Sequence, residues 1–131
     1  MSRRSEEIAS LDTLRERWLT AAREGPPRFP ACAGCQAWSW PPTVVCPVCG
    51  EGRWRLVSVP GTGLVRAATT VHRGVAPEFA DEAPYRVGAV ALDDGPLFLT
   101  RLDVGVHQGS RVRLRWRDRP GDGWLWASAG A

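Results

Sequence analysis

Four cysteines, Cys32, Cys35, Cys46 and Cys49, are all the thiols in a chain of 131 residues, and they fall in two pairs with the same C-x2-C spacing. Two residues between paired cysteines let a tight turn aim both sulfurs at one point, and two such knuckles supply the four thiolates that tetrahedral zinc prefers. Gly34 inside the first knuckle and Gly50 just after the second are turn residues where turns are needed. A redox Cys-x-x-Cys comes singly beside a parallel-sheet pattern, and neither condition holds here. An iron centre of rubredoxin type takes the same ligands, so spacing alone does not separate it from zinc. With all four ligands drawn from the protein, the expectation is one structural zinc ion holding a ribbon too small to keep a core of its own.

Other residues able to do chemistry are sparse. Nucleophilic catalysis needs a cysteine or serine held against a base. The cysteines are committed to metal, and the only histidines are His72 and His107. His107 falls in a predicted turn and His72 at a strand end, both ordinary places for a solvated ring. Asp93 and Asp94 read as turn residues rather than an acid/base pair. No catalytic residue is assigned, and the chain is read as not an enzyme by itself.

The elements that must position the cysteines follow from periodicity. Residues 5 to about 23 read as one amphipathic helix: Ile8, Leu11, Leu14, Trp18, Leu19 and Ala22 recur at helical spacing, Ser5 is a candidate N-cap, and Gly25-Pro26-Pro27 stops it. An apolar stripe needs a cover, either its own domain or another protein, and Ile8, Leu11, Leu14 and Trp18 are candidates for a partner-binding surface. After the cysteines the pattern alternates. Residues 54–59, 63–73, 85–92, 96–102 and 111–116 are candidate strands, separated by PGTG, DDGP and HQGS turns and by a long loop over 74–84. Five short strands without a long helix between them favour a small barrel of the OB type. The fold class is therefore mainly β: an N-terminal helix (1–27), a rubredoxin-like zinc ribbon (28–53) and a five-stranded OB-fold barrel (54–131). Phe29, Trp38, Trp40 and Trp54, which flank the knuckles, read as packing aromatics in preference to base-stacking ones.

Composition sets the outer bounds. Hydrophobic residues make up 44% and charged residues 24%, and no apolar run reaches the roughly 20 residues that span a bilayer. The charged start MSRRSEEIAS lacks the apolar stretch of a secretory signal, so the expectation is a cytoplasmic protein with reduced thiols. The 17 basic residues are all arginine, and the formal net charge is only +3.

Taken together, these parts resemble a known family. An N-terminal helix, Trp40-Pro41-Pro42 before the second knuckle and Cys46-Pro47-Val48-Cys49-Gly50 within it resemble the zinc-ribbon and OB-fold family once catalogued as domain of unknown function thirty-five. The resemblance continues through Gly61-Thr62-Gly63, Thr69-Thr70-Val71-His72-Arg73, Pro84-Tyr85-Arg86-Val87, Leu92-Asp93-Asp94-Gly95-Pro96, Leu99-Thr100-Arg101-Leu102 and Gly109-Ser110-Arg111-Val112. Two features depart from the family pattern: Thr43 stands where a basic residue is usual, and GDGWLWASAGA replaces a hydrophobic tail. The resemblance implies a partner: a thiolase-like enzyme subunit, in a heterotetramer or larger complex, that handles acyl-CoA thioesters by acyl transfer, Claisen chemistry or retro-aldol cleavage, as in steroid side-chain degradation or polyketide assembly. The catalytic residues then belong to the enzyme, and this chain is a scaffold that contacts or guides CoA.

The arginines are weighed on that basis. In RVRLRWR, alternation puts Arg111, Arg113, Arg115 and Arg117 on one face, either a solvated surface or a contact for CoA phosphates, an acidic partner or nucleic acid. Arg66, Arg73 and Arg86 are further candidates for CoA or partner contact. The alternative to the accessory-subunit reading is an OB-fold and zinc-ribbon nucleic-acid-binding protein. Nucleic acid is the less favoured partner, because the ribbon has no charged residue between Cys32 and Cys49 and Tyr85, Phe98 and Trp116 fall at inward positions.

Overall fold

A computed structural model describes residues 6–73, 82–119 and 122–130. The chain divides into two compact units, 1–60 with 94–96, and 61–93 with 97–131. Ser5 and most of the loop expected over 74–84 lie outside the described residues. No helix among the described residues is long and apolar enough to cross a membrane.

The first unit holds α1 (Leu11–Glu24) and a two-stranded antiparallel hairpin of β1 (Arg28–Cys32) and β2 (Trp54–Ser58). The helix starts later than its periodicity suggests. Ser10 is the N-cap, its hydroxyl accepting from the Thr13 N–H at 3.3 Å, with Asp12 in the first turn where the helix dipole favours a negative charge. Ile8 is not helical at all; it forms an antiparallel bridge with Trp54. Its side chain still joins the cluster of Leu14, Cys32, Cys46 and Trp54, which is why its spacing imitates that of the helix. Gly25 closes the helix, giving its N–H to the Ala21 carbonyl at 3.1 Å. A second cluster packs Trp18 edge-on against Phe29 and tilted against Trp40, with ring centroids 5.8 and 4.6 Å away.

The second unit is a five-stranded sheet in the order β5-β4-β3-β6-β7, built from β3 (Thr62–Val71), β4 (Tyr85–Leu92), β5 (Leu97–Arg101), β6 (Arg111–Arg119) and β7 (Asp122–Ala129). Neighbouring strands are antiparallel, and a parallel bridge from Leu102 to Ala127 brings the two outer strands together, so the sheet nearly closes. This order with a parallel seam is that of an OB barrel. The fifth strand, however, is β7, in the segment that looks like a tail, while residues 54–58 pair with β1 in the ribbon unit. Val65, Val90, Phe98, Val112, Leu125 and Ala127 fill the barrel, each at most 2% exposed. Gly88 is a close-approach position: a Cβ there would lie 2.6 Å from the Ala67 carbonyl oxygen and 2.8 Å from Leu102.

Candidate metal centre

The two knuckles are copies of one backbone design. In the first, the Gln36 N–H reaches the Cys32 carbonyl at 2.9 Å and the Cys32 N–H reaches Ala37; in the second, Gly50 reaches Cys46 at 2.8 Å and Cys46 reaches Glu51. The sulfur that opens each knuckle accepts an N–H from two residues on, Gly34 to Cys32 at 3.3 Å and Val48 to Cys46 at 3.4 Å. The residue after each second cysteine sits in the left-handed region, Gln36 at φ 67° and Gly50 at φ 82°. That conformation turns the chain so that both sulfurs of a pair point inward.

All four sulfurs lie within 4.8 Å of one another, with Cys32 to Cys49 at 3.5 Å and Cys35 to Cys46 at 3.7 Å. These separations far exceed a disulfide bond of about 2.05 Å. They match the roughly 3.8 Å expected between sulfurs that each stand about 2.3 Å from a central tetrahedral zinc. Cys32 and Cys46 are buried and Cys35 and Cys49 exposed. The charge balance of the cluster is uneven. The backbone N–H of Cys35, helped by that of Gly34, lowers the Cys32 thiol to about 6 against the opposing effect of burial. At Cys49 the Glu51 backbone favours the thiolate, yet Cys32, burial and the remaining thiols together push it up to about 12. One sulfur readily takes a negative charge and its neighbours then resist theirs, which a central cation relieves. The donor set therefore fits one metal ion held by all four cysteines.

The remaining candidates are scattered. Ile8, Leu14 and Trp18 are at most 5% exposed, and Leu11 packs against the same cluster, so the apolar stripe already lies within its own unit. Trp18→Arg would consequently disturb the fold of that unit before it reported on an interface. Arg66 is exposed at a bulge in β3, and Arg73 is exposed after its end. Arg86 opposes Thr70 on β4 and donates to the Val106 carbonyl. The β6 alternation is as expected, with Val112 and Leu114 buried and Arg111, Arg113, Arg115 and Arg117 exposed. Two of the four are engaged: Arg111 with Asp93 at 2.5 Å and Arg117 with Asp103 at 2.6 Å. His72 follows the end of β3, and His107 opens a turn closed by the Ser110 N–H at 3.0 Å.

Sequence reasoning missed the aromatic and guanidinium stack at the barrel seam. Arg101 lies 3.9 Å from the Tyr85 ring centroid and 4.3 Å from that of Trp126, whose ring is also 4.5 Å from Arg117. The signal was the alternation of Trp124 and Trp126 in residues 122–129, hidden among glycine and alanine.

The two units thus define a class: a four-cysteine ribbon unit and a five-stranded OB-type barrel. Residues 56–117 match the family model described as "ChsH2, C-terminal OB-fold domain". A chain of the solved "Ltp2-ChsH2(DUF35) aldolase" is similar at a TM-score of 0.73 and 29% sequence identity, covering 89% of this chain and 94% of that one. No curated protein matches. The family model covers the barrel strands up to β6, the likeness to the solved chain runs over most of this one, and both agree with the ribbon and OB-fold family that its motifs resemble.

Proposed function

We propose that this protein is a non-catalytic accessory subunit of a thiolase-like enzyme acting on acyl-CoA thioesters. The observation that carries this reading is the likeness, over 89% of the chain, to a chain of the Ltp2-ChsH2(DUF35) aldolase. In such a complex, a heterotetramer or larger in the cytoplasm, the enzyme carries the reacting groups and this chain supports them. One zinc ion held by Cys32, Cys35, Cys46 and Cys49 would fix the ribbon and supply no reacting position, because the protein fills every ligand place. Arg66 and Arg73 are the exposed guanidinium groups offered to CoA phosphates or the partner, and Arg86, held by Val106, is the weaker member of the three.

The face that OB barrels use for single strands favours this reading over nucleic-acid binding. On the outer side of β4 and β5, Ala91 opposes Leu97 and Ala89 opposes Leu99. Leu97 and Leu99 are 52% and 65% exposed. Further along the same face the Tyr85 ring is already covered by the Arg101 guanidinium at 3.9 Å, so the open part of that surface offers small and aliphatic side chains where base stacking needs free aromatic rings.

Co-purification from the native cell, with mass spectrometry of what accompanies the chain, tests the proposal. A stoichiometric thiolase-like protein whose acyl-CoA turnover falls when this chain is withdrawn is the expected result, with one zinc per chain by elemental analysis. Recovery of nucleic acid that dissociates steeply with salt would replace the reading with its alternative.

A further inference from the structure

In the ribbon unit, β2 has one edge on β1 and another that is mostly open. Ile8 exchanges both backbone hydrogen bonds with Trp54, at 2.7 and 2.8 Å, so the Trp54 backbone faces away from β1. Backbone direction alternates along an antiparallel strand, and Leu56 and Ser58 face away likewise. The β1 side agrees. Pro30, which has no N–H, stands opposite Leu56 and gives its carbonyl to Ser39, while Val59 turns back to Pro27 at 3.0 Å. Among the described residues no backbone partner takes the N–H and C=O of Leu56 or Ser58.

This edge borders a groove of about 1050 Å³ lined by Leu56, Val57 and Ser58 on one side and by Glu16, Thr20 and Glu24 of α1 on the other. Of the other charges along it, Glu6 and Arg17 pair with each other and Arg28 stands alone on β1. Glu16 and Glu24 have no ion-pair partner among the described residues, which leaves two carboxylates against one guanidinium. Eight helical residues separate these carboxylates by about 12 Å. Same-face residues four apart on a strand are about 13 Å apart, so an extended segment with basic residues at alternate positions can meet both.

We propose that this groove docks an extended segment of another protein, basic at alternate positions, which adds as a strand to the open edge of β2 through Leu56 and Ser58. Backbone hydrogen bonds hold the segment and the α1 carboxylates select its charge. The test uses the full chain loaded with zinc and a synthetic hexapeptide alternating lysine and valine, capped at both ends, with amide hydrogen exchange as the readout. Exchange at Leu56 and Ser58 is expected to slow at least ten-fold at millimolar peptide. The double variant Glu16→Lys/Glu24→Lys should weaken that effect at least ten-fold, and a glutamate–valine peptide should produce none. Ser58→Pro removes an outward N–H and leaves the β1 ladder intact, so it should melt like the parent while Leu56 loses its peptide-dependent protection. No slowing with the lysine peptide overturns the proposal, as does equal slowing with the glutamate peptide. Protection that rises with protein concentration alone identifies a second copy as the occupant, and protection already present in the dilute free chain identifies the chain itself; either overturns it.

Discussion

Asp93 shows how far one side chain in this barrel is committed. Its carboxylate takes two hydrogen bonds from Arg111, at 3.2 and 2.5 Å, and one from the Thr62 hydroxyl at 2.7 Å. The Arg111 guanidinium, aided by Thr62, holds the carboxyl down at about 2. An unfolded aspartate titrates near 3.9, so the folded state favours the ionised form. The resulting stability is fully present above about pH 4 and is lost as pH falls from there through about 2. Asp93→Asn should flatten this part of the acid-melting curve, measured by circular dichroism from pH 5 to pH 2, while leaving the shape of the rest intact. Knuckle geometry gives a second residue-scale prediction. Gln36 and Gly50 occupy equivalent left-handed positions, yet only Gly50 is free of the steric penalty on a side chain there. Gln36→Gly should stabilise the metal-loaded ribbon by about 1 kcal/mol and Gly50→Ala should destabilise it by roughly 1–2 kcal/mol, read from denaturant midpoints. No atom lies within 4 Å of a Cβ at Gly50, so the backbone alone sets that loss.

Among the elements, the barrel seam is the least supported by backbone pairing, which makes its side chains decisive. Between β5 and β7 the Thr100 hydroxyl donates to the Leu125 carbonyl at 2.5 Å, the Asp103 N–H reaches the Ala127 carbonyl at 2.9 Å, and the stack from Tyr85 through Arg101 and Trp126 to Arg117 spans the rest. Trp126→Leu keeps an apolar side chain but removes two cation–π contacts, so it should destabilise the barrel by about 1–3 kcal/mol. Hydrogen exchange at Thr100 to Asp103 should accelerate ahead of exchange in β3. What the sequence disclosed divides along the same lines. The cysteines, β3 to β6 and the helix were readable because their spacing follows directly from ligand geometry or from backbone period. β1 escaped because Pro30 looks like a strand breaker, although it occupies a position where no N–H is required. β7 escaped because GDG and SAGA read as a frayed end, although Leu125 and Ala127 are buried inside it. Ile8 misled in the other direction: an extended residue reached the same core that the helix faces, so its spacing imitated a further helical turn.

For the whole molecule, the division into two units decides what the metal supports. The ribbon unit has a small apolar cluster in which Cys32 and Cys46 are themselves members, so its core and its metal site share residues. The barrel has a separate set of buried residues around Phe98, Val90 and Leu125 and contains no cysteine. Metal binding and folding are one equilibrium where the ligands hold the core, and they are independent where the core lacks ligands. Removing the metal with a strong chelator, or replacing Cys46 with alanine, should therefore unfold Ile8 to Trp54 and leave amide protection in β3 to β7 largely unchanged. Two-state analysis of the whole chain would then fail, with separate transitions for the two units by tryptophan fluorescence and by far-ultraviolet circular dichroism. Restoring zinc should return ribbon protection in the parent but not in Cys46→Ala. Loss of the barrel at the same chelator concentration as the ribbon would show that the metal stabilises the entire chain. A Cys46→Ala protein that melted like the parent would deny the cluster its structural role.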